Sequence, residues 1–291
     1  RYATAAAISA AHFGPGVPVV FIATGLNFPD ALAAGPAAAK LGGPVLLVGP
    51  DTLPVPTATE LARLGPKRIV VLGSTGAVSD GVFAALGAYA PQVDRVAGPD
   101  RYATAVATSQ AAFAPGVPVV FVATGLNFPD ALAGSAAGAR LGGPVLLVPG
   151  TTIPDAVAAE LKRLTPASIR VLGGPSVVSD GVLQALRAYA PDVARLSGAD
   201  RYATAAAVTA ATYEPGVPGL QLATGLDFPD ALAGAPLGGP VLLLPGGAPL
   251  PSSVATEAVR LKPGMLEPLG GPFVVPDSAV TSVVTTLAAA P

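Results

Sequence analysis

The sequence lacks the side chains on which most enzymes and metal sites depend. It has no cysteine and a single histidine, His12. Without cysteine there is neither a disulfide framework nor a thiolate nucleophile. A zinc site needs several sulfur or nitrogen ligands, which this chain cannot supply, and no alternating Asp ladder of the EF-hand type is present. We therefore predict no metal, no cofactor and no catalytic residue, and interpret His12 as a surface helix residue.

Charged residues are also scarce, at 12% of the chain, and 16 Lys and Arg against 18 Asp and Glu give a formal net charge of -2. The basic residues do not cluster, so a nucleic-acid partner is not expected. The mean hydropathy is +0.61, yet Gly and Pro interrupt every apolar run of about 18 residues, and no transmembrane segment is predicted. The 51% apolar residues are instead ample material for a folded core.

What the sequence does contain is an internal repeat. The string Arg-Tyr-Ala-Thr-Ala occurs at residues 1–5, 101–105 and 201–205, a spacing of 100 residues both times. The third copy keeps this frame through Ala233 and then shortens, because the residues matching 136–140 are mostly missing before Leu237. The repeat predicts three modules, which we place at residues 1–98, 99–198 and 199–291.

Helices and strands are predicted to alternate within each copy. In the first copy the predicted helices are 2–13, 28–41, 57–64 and 79–89, and the predicted strands are 17–23, 44–48, 68–72 and 93–97. Such alternation predicts parallel sheets with right-handed crossovers. The fold class is therefore α/β, with three tandem Rossmann-like or flavodoxin-like modules. The apolar strand at 44–48, and its equivalents at 144–148 and 240–244, is expected to be an inner strand.

The fourth strand of the module occurs only twice. The strand at 93–97 returns at 193–196, but nothing similar follows Leu287. Either one module has an open edge, or the missing strand precedes Arg1 in a longer parent protein. The abrupt start at Arg1, with no signal peptide, favours the second alternative.

Glycine-rich turns follow the third strand of each module. Their glycines are Gly73, Gly76, Gly173, Gly174, Gly270 and Gly271. A turn of this kind before a helix can direct backbone N–H groups at an anion. None matches a dinucleotide or Walker pattern, and a tight strand-to-helix turn is the simpler interpretation. Ser79 and Ser179, which lack a histidine base, are predicted to be helix caps.

A few polar residues recur in all three copies. They are Arg1, Arg101 and Arg201, then Asn27, Asn127 and Asp227, and three residues later Asp30, Asp130 and Asp230. The Asx-x-x-Asp spacing is typical of reciprocal helix capping. Each arginine either forms a structural ion pair, with Asp130 the leading partner for Arg101, or points at an acidic ligand. The pair Glu60-x-x-Arg63 and its equivalents are interpreted as a solvated stripe on one helix face.

Four motifs follow one another in a fixed order along the modules. In the second module they are Gly-Pro-Asp-Arg-Tyr-Ala-Thr-Ala (98–105), Ala-Thr-Gly-Leu-Asn-Phe-Pro-Asp-Ala-Leu-Ala (123–133), Gly-Gly-Pro-Val-Leu-Leu-Val (142–148) and Val-Leu-Gly-Gly (171–174). Together they resemble the cell-wall-binding repeat 2 family over essentially the whole chain. The third module departs from the pattern, because the strand before Gly270 is reduced to 265–269.

The resemblance implies an extracellular protein of the cell wall or cell surface that is anchored non-covalently to an anionic cell-wall polymer. It also implies an effector region elsewhere in a longer parent protein, and packing of the three modules as an intrachain pseudo-threefold trimer. The repeating arginines and the glycine-rich turns are the candidate polymer-binding residues, with arginines of neighbouring modules completing each pocket. The alternative is a structural or protein-binding scaffold of the cell surface without polymer binding.

Overall fold

Three parallel sheets form the framework of the protein. The computed structural model describes residues 1–27, 29–247 and 249–290. The strands are β1 (Val20–Thr24), β2 (Val45–Val48), β3 (Arg68–Leu72), β4 (Gln92–Val96), β5 (Val120–Thr124), β6 (Val145–Val148), β7 (Ser168–Leu172), β8 (Asp192–Leu196), β9 (Leu220–Thr224), β10 (Val241–Leu244) and β11 (Leu266–Leu269). The sheet orders are β2-β1-β3-β4, β6-β5-β7-β8 and β10-β9-β11, and every pairing is parallel. The predicted α/β fold with parallel sheets is confirmed.

Helices connect the strands and cover the sheets. They are α1 (Tyr2–His12), α2 (Pro29–Leu32), α3 (Ala34–Leu41), α4 (Val55–Leu64), α5 (Asp80–Leu86), α6 (Arg101–Ala112), α7 (Pro129–Leu141), α8 (Asp155–Leu164), α9 (Asp180–Leu186), α10 (Arg201–Thr212), α11 (Pro229–Gly234), α12 (Ser252–Leu261) and α13 (Asp277–Ala288). The helix predicted at 28–41 is divided into α2 and α3, and its predicted first residue, Phe28, lies outside the described residues. Among the residues that are described, none of the helices has the length and apolar character needed to cross a membrane.

The apolar strand β2 lies at the end of its sheet, so its prediction as an inner strand is wrong, as it is for β6 and β10. In the described part of the chain, each of the three pairs with a single neighbour, as β2 does with β1. All four residues of each strand are nevertheless buried. The burial of β2 follows from packing, because α1 of its own module and α11 of the third module contact it. A fully apolar strand therefore indicated burial here, but not a central place in the sheet.

The fourth strand, β4 or β8, joins the sheet of the module whose third strand it follows along the chain. β4 pairs with β3, and β8 pairs with β7. In the described part of the third sheet, β11 forms the edge. The open edge is thus in the third module, and the placement of its missing strand upstream of Arg1 stays a prediction.

The modules contact one another in cyclic order. The helix after the first strand of each module packs on the first helix of the next, so that α3 contacts α6, α7 contacts α10 and α11 contacts α1. In the centre, α3, α7 and a short 3₁₀ turn (Ala235–Leu237) meet pairwise. A Cβ atom added to Gly35 would lie 2.4 Å from Ser135 Oγ and 2.7 Å from the Cβ of Ala235. The expected pseudo-threefold arrangement is confirmed, with small residues on its axis.

The Glu-x-x-Arg pairs form a buried network, and their interpretation as a solvated stripe is wrong. Glu160 is 1% exposed and accepts hydrogen bonds from Ser109 Oγ at 2.5 Å and from Arg163 Nε at 2.7 Å. Arg163 also donates to the carbonyl of Phe113 at 2.9 Å. Glu60 and Arg63 repeat these bonds in the first module. The network joins α8 to α6, and α4 to α1, through charge-assisted hydrogen bonds.

Candidate functional site

The repeating arginines hold the turn that follows the first strand of their own module. Arg101 donates from its guanidinium to the carbonyl of Gly125 at 2.5 Å, and Arg201 donates to the carbonyl of Gly225 at 2.5 Å. Arg1 makes the equivalent bond to Gly25. Each arginine therefore stands at the carboxyl edge of its own sheet, where the parallel strands end.

The repeating aspartates face the next module. The Asp30 carboxylate accepts a hydrogen bond from Thr104 and lies in the field of Arg101, and Asp130 has the same relation to Thr204 and Arg201. The predicted pairing of Arg101 with Asp130 is wrong, because its electrostatic partner is the aspartate one module earlier.

Equivalent contacts join the third module to the first, so the three modules form a closed ring. Asp230 has Thr4 and Arg1 as its partners. Arg1 additionally lies 3.6 Å from Asp227 Oδ2. The partners of all three aspartates therefore come from another module.

Burial raises the pKa of Asp30 and Asp130 against the lowering effect of the threonine and the arginine. Burial also raises the pKa of Asp230, against the lowering effects of the terminal amino group of residue 1, of Thr4 and of the Arg1 guanidinium. On the other side, each carboxylate lies against the glycine-rich turn of its own module. A Cβ atom on Gly73 or Gly173 would lie 2.4 Å from the Oδ2 of Asp30 or Asp130, and both glycines have φ near +90°. Glycine is needed there because a side chain would displace the carboxylate.

The aspartates do not take part in reciprocal helix capping, so that prediction is wrong in the second and third modules. The Oδ1 atoms of Asn127 and Asp227 accept hydrogen bonds from the N–H of the residue that follows each, at 2.9 Å. Helix α7 has no side-chain cap at its N-terminus, since Asp130 is directed at the junction. The predicted caps at Ser79 and Ser179 are confirmed, as Ser179 Oγ accepts from the N–H of Val182 at 3.3 Å.

Between the second and third modules these residues enclose a cleft of about 200 Å³, which we call the junction cleft. The second module contributes Thr124, Asn127, Asp130, Gly174 and Ser176, and the third contributes Asp200, Arg201 and Thr204. The guanidinium carbon of Arg201 lies 6.0 Å from the centre of the Phe128 ring across the junction. Four of the residues selected from sequence, Asn127, Asp130, Gly174 and Arg201, thus lie together.

The other candidate glycines divide into two groups. Gly270 and Gly271 line a groove with Thr4 at the junction of the third and first modules. Gly76 lies apart from the carboxylate, where an added Cβ atom would meet only Ser74 Oγ, at 3.8 Å.

Among the described residues there is also no group of three or more His, Asp or Glu side chains arranged to hold a metal ion.

Sequence reasoning missed two arginines beside the glycine-rich turns. Arg95 on β4 donates to the carbonyl of Gly73 at 3.0 Å, and Arg195 on β8 donates to that of Gly173 at 2.6 Å. Arg195 also bonds Asp180 Oδ1 at 2.9 Å. Their recurrence at a spacing of 100 residues was the available signal. In the third module the fully exposed Phe273 lies next to the equivalent turn.

An intrachain trimer of α/β modules with clefts at its junctions is the class of protein that this geometry defines. The chain belongs to the family Cell wall binding domain 2 (CWB2), which it matches over residues 1–83, 95–183 and 195–280. This family membership supports cell wall binding and a place at the cell wall or cell surface.

Two curated relatives are similar in sequence to this chain. The chain is 30% identical over 237 residues to the N-acetylmuramoyl-L-alanine amidase LytC of Bacillus subtilis (strain 168), covering 81% of the chain and 46% of the amidase. It is 30% identical over 204 residues to the amidase enhancer of the same organism, covering 69% of the chain and 27% of the enhancer. The chain thus spans less than half the length of either relative.

Two solved structures share the fold. Cwp6 from Clostridium difficile superposes with a TM-score of 0.90 at 23% identity, over 97% of this chain and 46% of Cwp6. Cwp8 from the same organism superposes with a TM-score of 0.88 at 24% identity, over 99% of this chain and 50% of Cwp8.

Proposed function

We propose that the chain anchors an extracellular surface protein by binding an anionic cell-wall polymer, without catalysis, in the clefts at its module junctions. The observation that carries this proposal is the presence of Arg201 and Gly174, from consecutive modules, in one cleft. The modules proposed to act in this way are 1–98, 99–198 and 199–291, whose boundaries fall between β4 and α6 and between β8 and α10. The longer relatives support an effector region in the parent protein.

The positive charge for this binding comes from the arginines rather than from helix N-termini. The N-terminus of α10 is already capped, since the N–H of Ala203 donates to Asp200 Oδ1 at 2.8 Å. Arg201 supplies planar donors suited to carboxylate or phosphate oxygens. The raised pKa of Asp130 reduces its negative charge at mildly acidic pH relative to an ordinary aspartate, and its protonated form can donate to a ligand oxygen.

Three junctions on one body would act together on a repetitive polymer. When one junction holds the polymer, the neighbouring polymer units are presented to the other two at high effective concentration. A chain with a net charge of -2 can therefore bind an anionic polymer through several weak local contacts. Because these contacts are electrostatic, binding is expected to weaken as salt concentration rises.

The test is co-sedimentation of the 291-residue chain with purified cell walls across a salt series, before and after extraction of the anionic secondary polymers. We expect binding to be lost with the polymers, and no soluble wall fragments to be released during incubation. Retention of binding after extraction, or independence from salt, would contradict the proposal and favour the scaffold alternative. Release of fragments would contradict the non-catalytic role.

A pair of variants tests the arginine directly. Arg201→Gln removes the charge in the cleft, while the control Arg187→Gln removes an exposed charge directly after α9, at a residue that does not line the cleft. We expect wall binding to fall only in Arg201→Gln. Thermal unfolding of the same variants separates a ligand contact from a structural one. A variant that loses stability but retains wall binding when folded would assign Arg201 a structural role only.

A further inference from the structure

The third module contains a cavity of about 630 Å³ beneath its shortened helix. At the equivalent place the second module has a smaller pocket, of about 170 Å³, lined by Pro118, Phe121 and Leu141. Leu141 follows Gly134 by seven positions, whereas Leu237 follows Gly234 by three. Helix α11 accordingly ends at Gly234, and the 3₁₀ turn replaces the last turns of its counterpart α7.

Substitutions around the cavity remove apolar volume and introduce polar groups. Gln221 stands where Phe21 and Phe121 fill the cores of the other modules, and both phenylalanines are fully buried. Gly219, directly before the same strand, replaces a valine, and Tyr213 replaces a phenylalanine. These changes coincide with the deletion, so that shape and polarity change at one site.

A buried amide in the wall of this cavity has an oxygen without a partner among the described residues. Gln221 lines it, is 3% exposed, and among the described residues its Oε1 atom has no hydrogen-bond partner. A buried acceptor without a donor is costly and rare. In the strand register Glu267 is the neighbour of Gln221, so its carboxylate adds a second acceptor to the same wall.

All three modules contribute to this wall. His12, from the first module, is an exposed helix residue as predicted, and its Nε2 atom lies 2.6 Å from Glu267 Oε1. Arg140, exposed at the end of α7, comes from the second module. Tyr213 is held in place by its hydroxyl, which lies 3.0 Å from the carbonyl oxygen of Gly239.

The cavity also has apolar lining residues. They are Phe13, Val217, Pro218, Pro236, Leu237 and Met265. A ligand that fits must therefore combine hydroxyl or amide donors with hydrocarbon surface. Pockets of several hundred cubic ångströms with a few convergent polar groups are typical of small-molecule sites.

We propose that this cavity binds a pyranose saccharide. The hydroxyl groups of the sugar would donate to Gln221 and Glu267, Arg140 would donate to its oxygens, and its C–H face would pack on Phe13 and Met265. An apolar ligand would leave the Oε1 atom of Gln221 unpaired, and a small anion would meet the carboxylate of Glu267. The site is separate from the junction cleft and does not rest on the function proposed above.

The experiment is a titration of the full chain with two neutral disaccharides, cellobiose and N,N′-diacetylchitobiose, followed by NMR. The decisive variant is Gln221→Phe, which restores the residue of the other two modules and fills the cavity. We expect at least one disaccharide to bind and Gln221→Phe to weaken it by about tenfold or more, the effect of losing one or two hydrogen bonds. The control is Gln184→Phe on the exposed face of α9, which should bind as the unmodified chain does.

Two results would overturn the proposal: neither disaccharide binds, or binding is unchanged in Gln221→Phe. Thermal unfolding establishes that the variant is folded. If it is not, Glu267→Val, which introduces the residue of the first module, is read by the same criteria. Since soluble neutral sugars are the probe and cell walls are absent, a negative result here leaves the junction proposal standing.

Discussion

At the scale of single residues, Asp30, Asp130 and Asp230 each interact with two modules. Asp130 lies against Gly173 of its own module and accepts a hydrogen bond from Thr204 of the next. Burial raises its pKa despite Thr204 and Arg201. The folded protein therefore binds this proton more tightly than the unfolded chain does. Linkage then requires that the contribution of Asp130 to stability is lost as pH rises from the unfolded pKa, 3.8, through the higher folded value.

Asp130→Asn removes this titration while keeping an oxygen that can accept from Thr204. We expect the free energy of unfolding of the variant, relative to the unmodified chain, to increase as pH rises through the folded pKa, and then to stay constant. The measurement is urea denaturation of both proteins at a series of pH values. Parallel stability curves across this range would show that the carboxyl group has an ordinary pKa.

Asp192→Asn is a control for which the pH dependence of stability is expected to have the opposite sign. Asp192 accepts a hydrogen bond from Arg170 at 2.6 Å, and this bond lowers its pKa. A lowered pKa means stability that is present above 3.8 and is lost as pH falls through the folded value. Asp192→Asn should thus be the less stable protein at neutral pH, and the difference should disappear in acid.

At the scale of elements, the buried glutamates fix the first helix of each module to the helix before its third strand. In the second module Glu160 joins α6 and α8 through Ser109 and Arg163. In the third module Thr209 occupies the position of the serine and donates to the carbonyl of Ala205 at 2.6 Å instead. Within the described residues, Glu257 is left with its bonds to Arg260.

This difference predicts unequal effects of one substitution. Glu160→Ala leaves Arg163 and Ser109 without their acceptor, and we expect a loss of about 2–4 kcal/mol in the free energy of unfolding. Glu257→Ala should cost about 1 kcal/mol less, because one hydrogen bond fewer is broken. Urea denaturation of both variants checks the order. Equal losses would mean that the serine contributes nothing to the network.

The elements themselves were largely predictable, but their partners were not. Apolar runs and glycine-rich turns located the strands to within a few residues, as the prediction of 68–72 for β3 illustrates. Two kinds of information were missing. Nothing in Glu60-x-x-Arg63 distinguishes a buried pair from a solvated one. Because the sequence is repeated, Asp30 and Asp130 have the same neighbouring residues. The sequence therefore does not show which of the two modules supplies the partner of Arg101.

At the scale of the whole molecule, small residues on the pseudo-threefold axis allow the modules to meet. Gly35, Ser135 and Ala235 occupy equivalent positions there. Gly35→Val would drive a side chain into Ser135 and Ala235, and we expect it to destabilise the protein by about 1–3 kcal/mol through overpacking. Gly14→Val, at an exposed site where an added Cβ atom meets nothing within 4 Å, is the control. Thermal unfolding distinguishes them, and equal melting temperatures would exclude close packing at the axis.

The cyclic order of the junctions also fixes the copy number of the module. In an open array of repeats, a unit can be gained or lost at the end, because each unit needs only one neighbour. Here Asp230 of the third module interacts with Thr4 and Arg1 of the first. The rotation that relates the three modules therefore forms a closed ring after three units. A fourth copy inserted by duplication would have no place on the axis and would separate the residues that complete the ring. Evolution of this chain is therefore free to alter individual modules, as it has the third, but not to change how many there are.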